Sequence, residues 1–433
     1  MPHSLSLLAE HPQRLALTEE VHARPYEMMP SPARASFIAM VSGEGGGEAD
    51  RQAVSDLCKR FSVEPPAADA VHYSVDLGPF RLRWERHTEF STYGFIQLAP
   101  FEEPFTHPVI EQVPGDWLCR LPGEALVAIH VAVEDRRGGL RDLAELAPLF
   151  GGHTVAGSVV TGGGAKAWTD FRIHGDGFSR ILVEDLDLRS RQVGRLVQRL
   201  VEIETYRMLA LLAFPEARKH GRVISDIDAR HAALTEQVTR IASLEDEQQL
   251  LGDLSRLAAE VERIATATSY RFSAAEAYYA LVERRIEELR EERIEGVQTF
   301  REFMDRRLAP AMRTCQSVRR RLETLSDRLN RTGSLLRARV NLALEQQNRD
   351  LLDSMNRRAR LQLRLQQTVE GLSVVVLSYY SVGLVGYAAK AVKAAGYPVN
   401  ADLVTGISIP LVVAAVFLGV HRMKGRLARD GEN

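Results

Sequence analysis

Cysteine is scarce in this chain of 433 residues, which has three, at Cys58, Cys119 and Cys315. They lie far apart and show no C-x-x-C spacing, so the sequence indicates neither a disulfide framework nor a structural zinc site. We therefore expect buried free thiols. The first 14 residues also lack the apolar stretch of a secretory signal, and we expect the bulk of the protein to stay in the cytoplasm.

The net charge is small as well, at -2, but the two parts of the chain carry net charges of opposite sign. Residues 1–187 hold 16 Lys+Arg and 27 Asp+Glu, a net -11, which leaves 39 and 30, a net +9, for the remainder. The composition, 45% hydrophobic and 26% charged, excludes wholesale disorder and a polytopic transporter. The length predicts two or three structural units.

Two stretches near the carboxyl terminus, residues 371–389 and 403–420, contain no charged residue. At 1.5 Å per residue each helix would cover roughly 27–29 Å, close to the thickness of the bilayer hydrocarbon core. Thirteen residues join them. We therefore predict a transmembrane hairpin within residues 367–433, which end in a basic tail; a buried hairpin inside a soluble core is the alternative.

The charges that flank these stretches predict the orientation of the hairpin. Four arginines precede the first stretch and four basic residues follow the second, whereas the loop between them has two lysines. Because cytoplasmic flanks are enriched in basic residues, both termini should be cytoplasmic, in a bacterial inner membrane. The basic residues are Arg357, Arg358, Arg360 and Arg364, then Arg422, Lys424, Arg426 and Arg429, against Lys390 and Lys393 in the loop.

Residues 188–366 have few prolines and glycines and many Leu, Arg, Glu and Ala, a composition typical of long helices. We predict helices at residues 190–213, 225–243, 245–267 and 274–294. A heptad seam follows, formed by Met304, Leu308, Ala311, Cys315, Val318, Leu322, Leu325, Leu329, Thr332 and Leu336. Pro310 lies inside this seam and predicts a kink or a helix start.

From Leu335 to Gly371 the chain has no proline, so one helical stalk could enter the membrane unbroken. Arginine clusters along it could suggest nucleic-acid binding. Acidic residues interleave with them and no aromatic residues accompany them, so we expect a solvated coiled-coil face and no nucleic-acid partner.

Residues 1–187 read as an α/β domain with a mixed sheet covered by a few helices. Alternation in residues 80–84, followed by residues 90–98, predicts a hairpin, and the apolar run at residues 124–133 predicts a central strand. Further strands are predicted at residues 35–41, 70–77, 153–160, 167–173 and 178–184, and helices at residues 50–61 and 140–149.

Two short segments combine histidine with carboxylates and could support acid–base chemistry or metal binding. They are EVHARP, with Glu20, His22 and Arg24, and WERHTEF, with His87 and Glu89. Two ligands arise often by chance, so we favour a structural role. Gly162–Gly164 fits a tight turn rather than a phosphate loop, and with no catalytic motif present we do not expect an enzyme.

Four segments resemble an uncharacterised bacterial family of predicted membrane-anchored proteins, over nearly the full chain. They are EVHARP, RWERHTEFSTY, VQRLVEIETYRMLALLAFP and LSYYSVGLVGY, which begin at residues 20, 83, 197 and 377.

The architecture as a whole resembles the CorA-type magnesium channels: an α/β cytoplasmic domain, a long helical stalk and two carboxy-terminal spans. That resemblance implies a homopentamer whose first span lines a pore, with a divalent cation as ligand. In that family a Gly-Met-Asn element forms the selectivity filter; here only Gly386 could match it, and the asparagine is absent.

The first span carries a polar stripe that would suit a pore. On a helix its members fall within about 100° of one another, and they are Gln362, Gln366, Glu370, Ser373, Tyr380 and Tyr387. A ring of Glu370 side chains would attract cations at the cytoplasmic mouth. We therefore expect a homo-oligomeric cation channel with an altered filter, gated by tilting of the long helices; the alternative is a non-conducting scaffold that recruits a soluble partner.

Overall fold

A computed structural model describes residues 11–15, 17–18, 26–136, 139, 141–241, 243–396, 398 and 400–430, with side chains as far as residue 422. The chain divides into two compact units. The first comprises Met1–Arg240 and Gly252–Gly333, and the second comprises Ile241–Leu251 and Ser334–Asn433. The helices of residues 252–333 thus belong to the same unit as the sheet.

The first unit is built on a mixed sheet in which the described residues form nine strands, in the order β2-β3-β4-β1-β5-β8-β7-β6-β9. The strand β5 pairs in parallel with β8, and the other named pairs are antiparallel. The strands are β1 (Ala33–Val41), β2 (His72–Asp76), β3 (Arg81–Arg86), β4 (Phe90–Gln97), β5 (Glu124–Asp135), β6 (Ala156–Val160), β7 (Ala165–Thr169), β8 (Ser179–Asp185) and β9 (Glu292–Arg293).

The predicted strands are present, and the alternation of apolar and polar residues and the continuous apolar runs explain them. The β3–β4 hairpin aligns Trp84 with Tyr93. The strand β5 lies between β1 and β8, so its apolar run is buried on both faces of the sheet. Gly162 and Gly163 both have positive φ in the turn between β6 and β7, which glycine adopts without steric cost.

The helices of the first half are short and cover the sheet, and those of the second half are long. They are α1 (Gly47–Arg60), α2 (Gly115–Leu118), α3 (Leu143–Leu149), α4 (Ser190–Leu211), α5 (Ala213–Val238), α6 (Leu244–Leu289), α7 (Phe300–Ala394) and α8 (Ala401–Asp430).

Several predicted helix boundaries were wrong, and the predicted helix end at residue 294 overlaps the strand β9. The helices predicted at residues 245–267 and 274–294 are one helix, α6. The helix predicted at residues 225–243 begins earlier, at Ala213, since Pro215 sits in its first turn, where its missing N–H costs nothing. The helix α7 begins ten residues before Pro310 and continues through it. No helix starts at Pro310, so of the two alternatives predicted there only the kink is left.

Two side-chain caps explain why α7 begins at Phe300. Thr299 and Glu302 form a reciprocal pair in which Glu302 N–H donates to Thr299 Oγ1 (3.1 Å) and Thr299 N–H donates to Glu302 Oε2 (3.1 Å). The carboxylate of Glu291 accepts from the backbone N–H of Phe300 (2.8 Å) and Arg301 (3.0 Å). These bonds satisfy N–H groups that have no partner inside the helix.

The heptad seam at the start of α7 is buried. Met304, Leu308, Leu322 and Leu329 are each 3% exposed or less.

Of the cysteines, Cys58 and Cys315 are buried free thiols as predicted, but Cys119 is exposed.

His130 on β5 is a buried imidazole whose protonation the fold opposes. Its Nδ1 lies 2.9 Å from Ser36 Oγ, and its ring stacks on Phe178 at 3.9 Å. Ser36 Oγ also accepts from the backbone N–H of Ile110 at 3.2 Å. Burial lowers the pKa of His130 to about 4, from 6.5.

We predict that His130 makes the protein less stable as the pH falls from about 6.5 to 4. In that range the unfolded chain binds a proton at His130 that the folded chain excludes, so folding loses up to about 3 kcal/mol at the acid end. Thermal unfolding of wild type and His130→Gln between pH 4 and 7 measures this. The variant should lose less stability on acidification than wild type; parallel pH profiles would contradict the assignment.

Candidate functional site

Two helices are long and apolar enough to cross a membrane, α7, which belongs to the second unit from Ser334 on, and the part of α8 spanning Ala401–Arg422. Ser378 and Ala389 of α7 and Ala401 of α8 are buried small residues. A Cβ added at Gly386 would lie 3.2 Å from Thr405 Oγ1, so the Thr405 side chain of α8 lies against Gly386. Small residues at a helix contact are typical of membrane helix pairs.

The predicted polar stripe lies on a different face of α7 from this contact. Gln362, Gln366, Ser373, Tyr380 and Tyr387 are exposed and Glu370 is half-buried. The side-chain amide of Gln366 donates to Glu370 Oε1 at 3.5 Å. Gly386, predicted at the position of a filter, packs within the hairpin and does not share the exposed face of the stripe.

The hydroxyl of Ser373 donates to the carbonyl of Val369 within the same helix, at 2.8 Å. A serine bonded in this way can lie in lipid or at a helix contact without another partner. The stripe therefore presents its carboxylate, amides and phenols, rather than this hydroxyl, to whatever covers it.

His87 and Glu89 make separate contacts. Both oxygens of the buried Glu89 carboxylate accept from Arg271 of α6, at 3.1 and 2.7 Å, and Oε1 also accepts from the Tyr278 hydroxyl at 2.9 Å. Burial, together with the hydrogen bond to Glu89, raises the pKa of Tyr278. His87 instead stacks on Phe90, with ring centroids 4.2 Å apart. The predicted structural role fits this arrangement.

A small cleft adjoins this cluster, lined by residues of β3, β4, the loop between them and α4 that include Glu85, His87 and Tyr206. Its volume is about 40 Å³. That space holds a few water molecules, whereas sites for organic ligands start at roughly 300 Å³. The other histidine segment, with Glu20, His22 and Arg24, lies outside the described residues.

The arginine-rich face of α7 lies beside α5 and lines an open groove of about 480 Å³. Several of its arginines have acidic or hydroxyl partners: Arg319 contacts Glu276 (3.2 Å), and Arg328 contacts Asp228 (3.3 Å). This pairing is typical of a solvated helix surface.

One cluster of metal-ligating residues escaped the sequence analysis. His153, Asp170 and His174 bring one ligand atom each to within 4.8 Å of one another. His153 lies in the loop before β6, and the other two lie in the loop after β7. The signal in the sequence was weak, because Asp170 and His174 are four residues apart in a loop and His153 is 17 residues away from Asp170.

The fold and the hairpin together define a class: a mixed α/β sheet unit joined in one chain to long helices, two of which could cross a membrane. The chain belongs to the family described as "Protein of unknown function (DUF3422)", which matches residues 9–427. The predicted membership in an uncharacterised family is thereby confirmed, and the resemblance to CorA-type channels stays a prediction. Neither a curated protein nor a solved structure matches the chain.

We predict that Glu89 matters for stability and His87 much less. Glu89→Ala leaves the Arg271 guanidinium without its buried carboxylate and should destabilise the protein by about 3 kcal/mol. His87→Ala removes one stacked ring and should cost about 1 kcal/mol. Chemical denaturation of both variants tests the ranking. A larger loss for His87→Ala would contradict the structural role given to Glu89.

Proposed function

We propose that this protein is a homo-oligomeric cation channel of the bacterial inner membrane, with α7 as the pore-lining helix and both termini in the cytoplasm. The observation that carries the proposal is the position of the polar stripe, on a face of α7 that α8 leaves exposed. The basic residues before the first span and after the second support this orientation.

Within the span the stripe consists of Ser373, Tyr380 and Tyr387, and Glu370 lies at its edge. The hydrocarbon core of a membrane provides no partner for a phenol, and a carboxylate at its edge is also costly on a lipid-facing helix. Further copies of α7 would remove the stripe from lipid and place it around a common axis. A single hairpin cannot enclose a water-filled path. The stripe thus favours an oligomer, and the CorA-like architecture suggests a pentamer.

The part of α7 that precedes the span supports self-association through a second feature. Its leucines are exposed, among them Leu342, Leu351 and Leu365 at 60–67%. Many exposed apolar side chains follow a heptad pattern that continues into the span, at Leu344, Leu351, Met355, Leu365, Val369, Leu372 and Val376. Copies in one membrane share an orientation, so their α7 helices would meet in parallel, as in a parallel coiled coil.

Glu370 gives the proposed path its selectivity for positive charge. Copies of this carboxylate around one axis repel each other, and a cation relieves that repulsion. Magnesium selectivity is not part of the proposal, because the Gly-Met-Asn element is missing and the loop between the spans carries Lys390 and Lys393.

A non-conducting scaffold is the second candidate, and the exposed leucines favour it. An apolar face that long could hold a soluble partner at the membrane as readily as further copies of α7. Both candidates need the hairpin in the membrane, and they differ in whether the purified oligomer passes ions.

We predict that Leu351 stabilises the oligomer and that its neighbour Leu352 does not. Both leucines are about equally exposed, at 60% and 59%, but only Leu351 lies on the heptad seam. Removing a fully buried leucine costs about 1.5–3 kcal/mol, so Leu351→Gln should weaken association about 10- to 100-fold, whereas Leu352→Gln should not.

Light scattering of the detergent-solubilised protein at several concentrations measures this difference. A wild-type monomer, or an equal effect of the two substitutions, would contradict self-association through the seam.

We predict that cation flux into liposomes containing the purified protein falls about tenfold in Glu370→Gln, because the amide keeps the shape of the side chain and removes its charge. Asp402→Asn on α8 serves as the matched control, since Asp402 lies outside the stripe, and it should conduct like wild type. Absence of flux in wild-type oligomers under varied cations and pH would leave the scaffold as the function.

A further inference from the structure

We propose that His153, Asp170 and His174 form a binding site for a divalent transition-metal ion of the zinc type. The site lies in the first unit and is independent of the proposed channel. Asp170 Oδ2 lies 2.9 Å from His153 Nδ1 and 3.1 Å from His174 Nε2, so one carboxylate oxygen faces both imidazoles.

These separations match the edges of a coordination sphere. Two ligand atoms that are each about 2.1 Å from a metal ion lie roughly 3.0 Å apart at a right angle and roughly 3.4 Å apart at the tetrahedral angle. The 3.1 Å contact of Asp170 Oδ2 with His174 falls within that range, and its 2.9 Å contact with His153 lies just below it. All three ligand atoms lie within 4.8 Å of one another, and the partly exposed His153 ring can rotate to shorten the remaining edge.

The surroundings of Asp170 differ from those of three other buried carboxylates of this unit. Asp50 faces Arg86, Glu89 faces Arg271 and Glu134 faces Arg141, so each is neutralised by a guanidinium group. Among the described residues, the fully buried Asp170 side chain forms its ion-pair contacts with two imidazoles. A divalent cation between the three side chains would supply the positive charge that arginine supplies to the others.

The backbone holds the ligands in place. The N–H of His153 donates to the Phe150 carbonyl (3.1 Å), and the N–H of His174 donates to the Phe178 carbonyl (2.9 Å). Asp170 Oδ1 accepts from the N–H of Arg172 (3.2 Å), which fixes the carboxylate, and both Oδ1 (3.3 Å) and Oδ2 (3.1 Å) lie near His174 Nε2. Ligands that are anchored in this way lose little freedom when an ion binds.

The chemistry of the donors selects the class of ion. Mg²⁺ and Ca²⁺ prefer oxygen ligands throughout, whereas two imidazole nitrogens and a carboxylate suit Zn²⁺, Fe²⁺ or Co²⁺. Three protein ligands leave at least one coordination position for water. The side chain of His174 is 6% exposed and that of His153 is 39% exposed, so the open position faces solvent on the His153 side.

The experiment titrates full-length protein, in detergent and without a polyhistidine tag, with Zn²⁺ against a chromophoric chelator. Wild type should bind one saturable equivalent per chain, and Asp170→Asn and His153→Gln should weaken binding at least about tenfold. Because His153 is partly exposed, its variant should fold even if the Asp170 variant does not. The matched control is His107→Gln, which removes an exposed histidine next to Glu111 and should bind like wild type.

Co²⁺ provides a second measurement, because its visible absorption reports nitrogen ligands and low coordination number. The wild-type spectrum should lose those bands in His153→Gln. Absence of saturable Zn²⁺ binding, or Zn²⁺ affinity and a Co²⁺ spectrum that His153→Gln leaves unchanged, would overturn the proposal and leave the three residues as a hydrogen-bonded cluster.

Discussion

The helix α7 has side chains that suit neither solvent it would meet in a single chain. Before the span it exposes leucines, which water does not favour, and within the span it exposes Tyr380 and Tyr387, whose phenols lipid does not favour. Both mismatches disappear when a second helix covers the same side of α7. A shared preference for a partner would link the membrane hairpin to the proposed oligomer, and it would make the two proposed functions variants of one assembly.

The sheet unit buries several carboxylates. Three of them, Asp50, Glu89 and Glu134, pair with an arginine. Glu89 on the β3–β4 loop is reached by Arg271, 182 residues away. Such pairs contribute little net stability, but losing one partner is costly, so they fix which helix packs where. Asp170 instead faces two histidines from two separate loops, an arrangement that a bound ion would explain.

The elements that could be predicted are those whose residues show a regular apolar spacing or are bounded by helix-breaking residues. The central strand β5 and the β3–β4 hairpin follow from apolar runs and alternation, and the heptad seam follows from its spacing. The predicted break in α6 failed because residues 268–273 are weak helix formers that tertiary contacts hold in place: Phe272 is buried, and Arg271 binds Glu89. Propensity alone contains no information about a partner that is almost two hundred residues away.

The two candidate sites differ in the same way, because one lies on a single helix and the other is assembled from two loops. The stripe on α7 was predictable because its members share one helix, and a helix fixes their relative directions. The cluster around Asp170 was not predictable in this way, because its geometry depends on the paths of two loops, which periodicity does not predict. Local periodicity predicts faces of elements, whereas a site assembled across loops requires the fold.

The spacing of apolar residues along α7 changes between Leu336 and Leu344. From Met304 to Leu336 the seam alternates steps of three and four residues, and its core leucines are buried. Leu336, Val340 and Leu344 then follow at two consecutive steps of four, which rotates the apolar face around the helix. Beyond Leu344 the heptads resume on the rotated face, where the side chains are exposed in a single chain. A helix that served only its own chain would not need a second seam; a rotated seam that continues into the span fits contacts between copies of this protein in one membrane.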